Sequence, residues 1–107
     1  DITVDADRRS LVDRALAQAG RIDVLVNNAG RPGRPNAEDE SPEEFSSILD
    51  VNLAAGFHLA ASVASATPAG EAASIINISS VVGLVSTAPI GGGELCGVES
   101  RRARADP

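Results

Sequence analysis

Two short polar clusters stand where this chain could do chemistry: Asn27-Asn28-Ala29-Gly30, directly after the apolar run Ile22–Val26, and Ser79-Ser80, closing the apolar run Ser74–Ser79. In a parallel α/β sheet ligands lie beyond the carboxyl ends of the strands, so if these runs are neighbouring strands both clusters open into one crevice. Gly30 would let a ligand approach the backbone closely there. A third polar group, Asn52, falls on the apolar stripe of a long helical segment. It is either a polar residue tolerated where two helices face each other or a working group, since a buried carboxamide needs partners. The chain has no Tyr, Trp or Met, and its nine basic residues are all arginine. That excludes a mechanism using a phenol or an amine of this chain, and a lysine-containing phosphate loop.

The other polar candidates have plainer readings. His58 lies off the Asn52 stripe and is read as structural or surface. The acidic stretch from Glu38 to Glu44 is read as a solvated loop and helix start, with no metal site. Cys96, the single cysteine, has no partner for an internal disulfide.

The elements that must position these groups follow from periodicity. From Arg8 to Gly20, Leu11, Val12, Ala15, Leu16 and Ala19 recur at helical spacing, with Asp5 or Asp7 as cap and Gly20 as a left-handed terminator. Ile22–Val26 is short and β-branched and suits a strand covered on both faces. Arg31–Glu40, with its prolines and acidic run, reads as an exposed loop. Ser41-Pro42-Glu43-Glu44 is a capping box with proline at the first helical position. It opens a helix to about Thr67 whose inner stripe is Phe45, Ile48, Leu49, Gly56, Leu59, Ala60 and Val63. Ser74–Ser79 is a further strand, and Asp1–Val4 a strand end. This alternation predicts an α/β fold with a parallel sheet.

With 107 residues and 43% apolar content, the chain has room for one small domain. Its net charge of −6 argues against nucleic acid as a partner. Its longest apolar run falls short of the roughly 20 residues that span a bilayer, so no membrane partner is expected and the chain reads as cytoplasmic. Without a Met, Asp1 is not expected to be a natural start.

The stretches DVLVNNAG (Asp23–Gly30), VNLAAGF (Val51–Phe57) and SIINISSVVGL (Ser74–Leu84), in this order, resemble the short-chain dehydrogenase/reductase family. The opening Asp1-Ile2-Thr3 is similar to the end of that family's third strand. The resemblance covers roughly residues 1–90 and implies the middle segment of a Rossmann-type, doubly wound parallel sheet that binds NAD or NADP. It also implies hydride transfer between that cofactor and a small alcohol or carbonyl substrate, in complete relatives that are homo-oligomers. By the same resemblance, Asp1 and Ile2 bind the cofactor, with the Asp1 carboxylate accepting from the adenine amino group, and Asn28, Ala29 and Gly30 lie against the adenosine ribose. Ser80 corresponds to the catalytic serine that hydrogen-bonds the reacting oxygen. Asn52 corresponds to the helix asparagine that holds a water in the proton relay.

The departures from the family pattern are specific. The glycine-rich pyrophosphate loop and the residue that separates NAD from NADP would both precede Asp1. After Ser80 the family places a Tyr, three residues, then a Lys, which serve as acid/base and its activator; this chain has neither. From Gly91 the sequence GGGELCGVESRRARADP has no apolar periodicity, and residues 91–107 are expected to be a disordered tail outside the family fold. Exclusive use of arginine suggests a GC-rich gene. One permitted set of codons for this tail, read one nucleotide later, encodes AAASYAASKAGVRALTR, which restores Tyr-x-x-x-Lys about fifteen positions after Ser80. The expectation is a frameshifted dehydrogenase segment with open sheet edges, a marginal fold and no turnover alone. The alternatives are a non-catalytic nucleotide-binding module, or an assembly module built on the helix from Pro42, as the corresponding helix is used in the family's oligomers.

Overall fold

A computed structural model describes residues 1–81; the expectations for the remainder, including the tail from Gly91, lie outside the described residues. The elements run α1 (Asp5–Ala19), β1 (Val24–Asn27), a 3-10 turn (Ala37–Asp39), α2 (Pro42–Leu49), a π turn (Asp50–Ala54), α3 (Ala55–Ala66) and β2 (Ser74–Asn77). The described residues divide into two compact units, one of residues 1–29 with 50–78 and the other of residues 30–49 with 79–81.

In the first unit α1 ends as its sequence dictates. Gly20 adopts φ 77° and its amide donates to the Leu16 carbonyl at 2.7 Å. The start differs from expectation. The helix begins at Asp5, its cap position is Val4 with no side-chain cap, and Asp5 and Asp7 lie within the first turn, where carboxylates complement the helix dipole. Its buried face is Arg8 and Val12, whereas Leu11 is exposed. Val12, Ala15 and Leu16 lie on the inner side as their periodicity implies, while Leu11 and Ala19 at its edges are exposed and Arg8 joins it.

β1 and β2 pair in parallel, in register from Val24↔Ser74 to Asn27↔Asn77. Both β1 and α1 pack against α3, which buries Ala55, Leu59 and Val63. Fully burying a Leu or Val side chain is worth about 1.5–3 kcal/mol, so these residues carry the unit. The expected cover on both faces of the sheet is not what forms. Leu25 and Asn27 are half-buried, but Val24 and Val26 are 53% and 52% exposed, and all of β2 is exposed. For β1 the reason is that α3 packs from one side, so the alternate side chains of the pleated strand meet solvent.

The stretch Asp1–Val4 is a turn and not the strand end that was expected. Thr3 donates to the Asp1 carboxylate from both its amide and its hydroxyl, each at 2.8 Å, and the Val4 amide donates to the Asp1 carbonyl at 3.1 Å. A strand needs a neighbouring ladder; here the aspartate side chain takes the amide that a ladder would have used.

The helical stretch from Pro42 to Ala66 is continuous through the π turn, 25 residues in all. By length and composition it could cross a membrane, which corrects the expectation that no segment is long enough. The core helix of an α/β unit passes the same test, and α3 packs its buried face on α1 and β1.

The second unit holds the helix start in the form the sequence implies. The Glu44 amide donates to Ser41 Oγ at 3.1 Å, and the Ser41 amide donates back to Glu44 Oε2 at 3.1 Å. The same carboxylate also accepts from Arg34 Nε and Nη2, at 3.0 and 2.7 Å. Hydrogen bonds from Arg34 first, and from the Ser41 amide second, hold the Glu44 carboxyl down at about 2. A carboxylate lowered on folding stabilises the fold fully above its ordinary value, and that contribution is lost as pH falls through the lowered one. Glu44 is therefore expected to support this helix start down to about pH 2. A side-chain NMR titration of Glu44 with a midpoint at the usual carboxylate value would show that the pair does not hold in solution, whereas Arg34→Ala is expected to move the midpoint up.

Candidate active site

The condition set by the sequence, that the two apolar runs be neighbouring strands, is met. Asn27 stands beside Asn77 at the carboxyl ends, and the Ile78 amide continues the ladder by donating to the Asn27 carbonyl at 3.0 Å. Asn28 and Ala29 follow at once and are exposed.

The polar side chain that organises this end is Asn27. Its Nδ2 donates to Asn77 Oδ1 at 2.9 Å and to the Gly56 carbonyl on α3 at 3.3 Å. One carboxamide thus joins β1, β2 and α3. Gly56 is what admits it, since a Cβ there would stand 3.3 Å from Asn27 Cγ and 3.4 Å from its Nδ2. Asn52 lies in the π turn, half-buried, just before this contact. A π turn widens the helix by one residue, a distortion that recurs at functional sites.

Asp1 and Ile2 lie in the turn before α1. Asp1 Oδ1 is held by Thr3, and the Ile2 carbonyl accepts from Arg8 Nη1 at 2.7 Å. Gly30 and Ser80 belong to the second unit. Gly30 opens the exposed loop, and Ser80 is exposed. In that loop Arg31 Nη1 donates to Ser47 Oγ at 2.7 Å. His58, read as structural or surface, is exposed, with its ring edge-on to Phe57 at 5.4 Å.

Sequence reasoning placed Gly56 on the inner stripe but missed Arg8, the close approach of Asn27 to Gly56 and the bridging role of Asn27. Gly56 had a signal: a glycine inside an apolar helix costs roughly 1 kcal/mol against alanine, so it marks a close approach. Arg8 had none, because a charged residue on an inner face carries no apolar periodicity.

Parallel strands linked through a crossover helix, with polar groups gathered past their carboxyl ends, define a Rossmann-type α/β protein. The family described as short chain dehydrogenase matches residues 1–91. An uncharacterized oxidoreductase of Methylorubrum extorquens is 45% identical over 82 residues, covering 77% of this chain and 32% of that protein. The 3-oxoacyl-[acyl-carrier-protein] reductase FabG of Chlamydia muridarum is 40% identical, over 68% of this chain and 29% of its own length. A crystal structure described as that of a short-chain dehydrogenase/reductase from Burkholderia xenovorans superposes with a TM-score of 0.79 at 26% identity, covering 94% of this chain and 38% of that one. The chain belongs to the short-chain dehydrogenase/reductase family of oxidoreductases. It spans about a third of the length of the curated relatives it matches.

Proposed function

We propose that this chain is the middle segment of an NAD- or NADP-dependent dehydrogenase/reductase acting on a small alcohol or carbonyl compound, and that alone it does not turn over. The observation that carries the reading is the parallel pairing that sets Asn27 beside Asn77, so that Asn28 and Ala29 emerge at the carboxyl end of the sheet. The donor set suits an adenosine. The Asp1 carboxylate, with one oxygen taken by Thr3, keeps the other to accept from an amino group, Ile2 adds an apolar side chain beside it, and Asn28, Ala29 and Gly30 offer backbone beside short side chains. The nicotinamide supplies or takes the hydride when bound. Ser80 then holds the reacting oxygen by its hydroxyl, and Asn52 orders a water for the proton relay. A chain without Tyr or Lys has no acid/base to complete the transfer.

Two results are expected. Titrating the ¹⁵N-labelled chain with NAD or NADP shifts the amides of Ile2 and of Asn28 to Gly30, and NADH mixed with carbonyl substrates stays at background oxidation. Unmoved amides would remove the nucleotide reading; oxidation above background would remove the claim of inactivity. The frameshift is part of this proposal, and the family match ending at residue 91 supports it. Codons from Gly91 onward that cannot encode Tyr and Lys in the shifted frame would sink it.

A second reading is favoured by the large exposure of Leu53 and Phe57, at 66% and 68%. On it the helix from Pro42 is an assembly surface, and light scattering on the eluted peak would find a mass above 10.9 kDa.

A further inference from the structure

Arg8 is the one charged residue buried among the described residues, 9% exposed, on the face of α1 that also buries Val12. A guanidinium out of water is costly unless its donors are satisfied, and an apolar side chain would fill the same position without that demand. Two of its donors have partners at the start of α1. Nη1 donates to the Ile2 carbonyl at 2.7 Å, and Nη2 lies 3.4 Å from Asp5 Oδ1.

The Ile2 carbonyl and the Thr3 amide are the two ends of one peptide unit. Arg8 holds its oxygen, and its N–H donates to Asp1 Oδ1 at 2.8 Å. A chain of hydrogen bonds therefore runs from the guanidinium through a single peptide plane to the Asp1 carboxylate. A cation on the carbonyl polarises that peptide and strengthens its N–H as a donor. The Thr3 hydroxyl holds the same oxygen at 2.8 Å. With Oδ1 fixed from both sides, the direction of the other oxygen is fixed as well.

We propose that Arg8 is a positioning residue for nucleotide recognition: by pinning the Ile2–Thr3 peptide it aims the Asp1 carboxylate at an amino group on the purine, and so selects a 6-amino over a 6-oxo base. This rests on the adenine role of Asp1 proposed above. A carboxylate accepts from the amino group of adenine and is repelled by the carbonyl of hypoxanthine, so the selectivity reads out the aim.

The test uses the full chain and its Arg8→Met, Arg8→Lys and Asp1→Ala variants, titrated with AMP and with IMP, with thermal unfolding and Thr3 amide exchange measured on each. Arg8→Met removes a buried charge without leaving a void and is expected to keep the unfolding midpoint. It should speed Thr3 amide exchange and weaken AMP roughly tenfold with little change for IMP, the size of one charge-assisted hydrogen bond. Arg8→Lys, which keeps a cationic donor, should restore part of both. If Arg8→Met leaves Thr3 exchange and AMP affinity unchanged, the positioning role is overturned while the reading of Asp1 stands. If Asp1→Ala leaves AMP affinity unchanged, or the wild-type chain binds no AMP, the reading of Asp1 fails, and the adenine half of this proposal fails with it. Thr3 exchange still decides the structural half, and should Arg8→Met not fold, Arg8→Lys against wild type decides it.

Discussion

Leu59→Ala is expected to abolish the cooperative unfolding of this chain. Leu59 is 6% exposed and lies on the face of α3 that meets α1 and β1, together with Ala55 and Val63. Removing a buried leucine's outer atoms costs about 2–5 kcal/mol, through lost burial and the cavity left behind. A small domain holds only about 5–15 kcal/mol in total, and this unit has one helix face and half a sheet to draw on. Neighbours cannot collapse to fill the gap without pulling α1 off α3. Far-ultraviolet circular dichroism against urea should show a sloping, non-cooperative loss for the variant. A wild-type midpoint would mean that α3 is not the keystone described above.

The second large effect is expected at Gly56. Gly56→Val places a branched side chain where even a Cβ stands 3.3 Å from Asn27 Cγ. Asn27 cannot swing aside freely, because its Nδ2 is committed to Asn77 Oδ1 and the Gly56 carbonyl. Overpacking of this kind costs about 1–3 kcal/mol. Gly56→Ala gives a different balance, since alanine regains roughly 1 kcal/mol of helix propensity against the tighter contact. It is expected to be near neutral. The pairwise origin is checked by a double-mutant cycle: Asn27→Ala costs stability alone but relieves Gly56→Val, so the two are strongly non-additive. Additive costs would show that valine is opposed by something other than Asn27.

The residues that were legible in advance are those whose signal is local. Ser41 and Glu44 are three apart and bond reciprocally as a capping box does. Gly20 follows the last turn of α1 and takes the left-handed conformation. The strands lie where β-branched residues cluster, and their parallel pairing follows from the alternation with helices. What was illegible depends on partners distant in sequence, or on geometry without a compositional mark. Arg34 reaches Glu44 from ten positions away, so a residue read only as a cap also anchors a loop. Asn27 meets Gly56 across 29 positions. Asp1–Val4 looks like strand and forms a turn because its own aspartate competes for the amides. Of the candidate site, the residue types were visible, but the supports were not: Arg8 behind Ile2, and Asn27 behind the turn at Asn28.

The π turn at Asp50–Ala54 makes the length of this helix as binding as its composition. It is equivalent to an α-helix that has absorbed one inserted residue. Deleting any single residue there would leave a well-formed helix, yet turn α2 and α3 by about 100° relative to each other. α3, held by its packing on α1 and β1, would keep Ala55, Leu59 and Val63 buried and Gly56 on Asn27, so the change of phase would fall on α2. A one-residue deletion at this point is therefore an error of helix phase, which no single substitution downstream can undo.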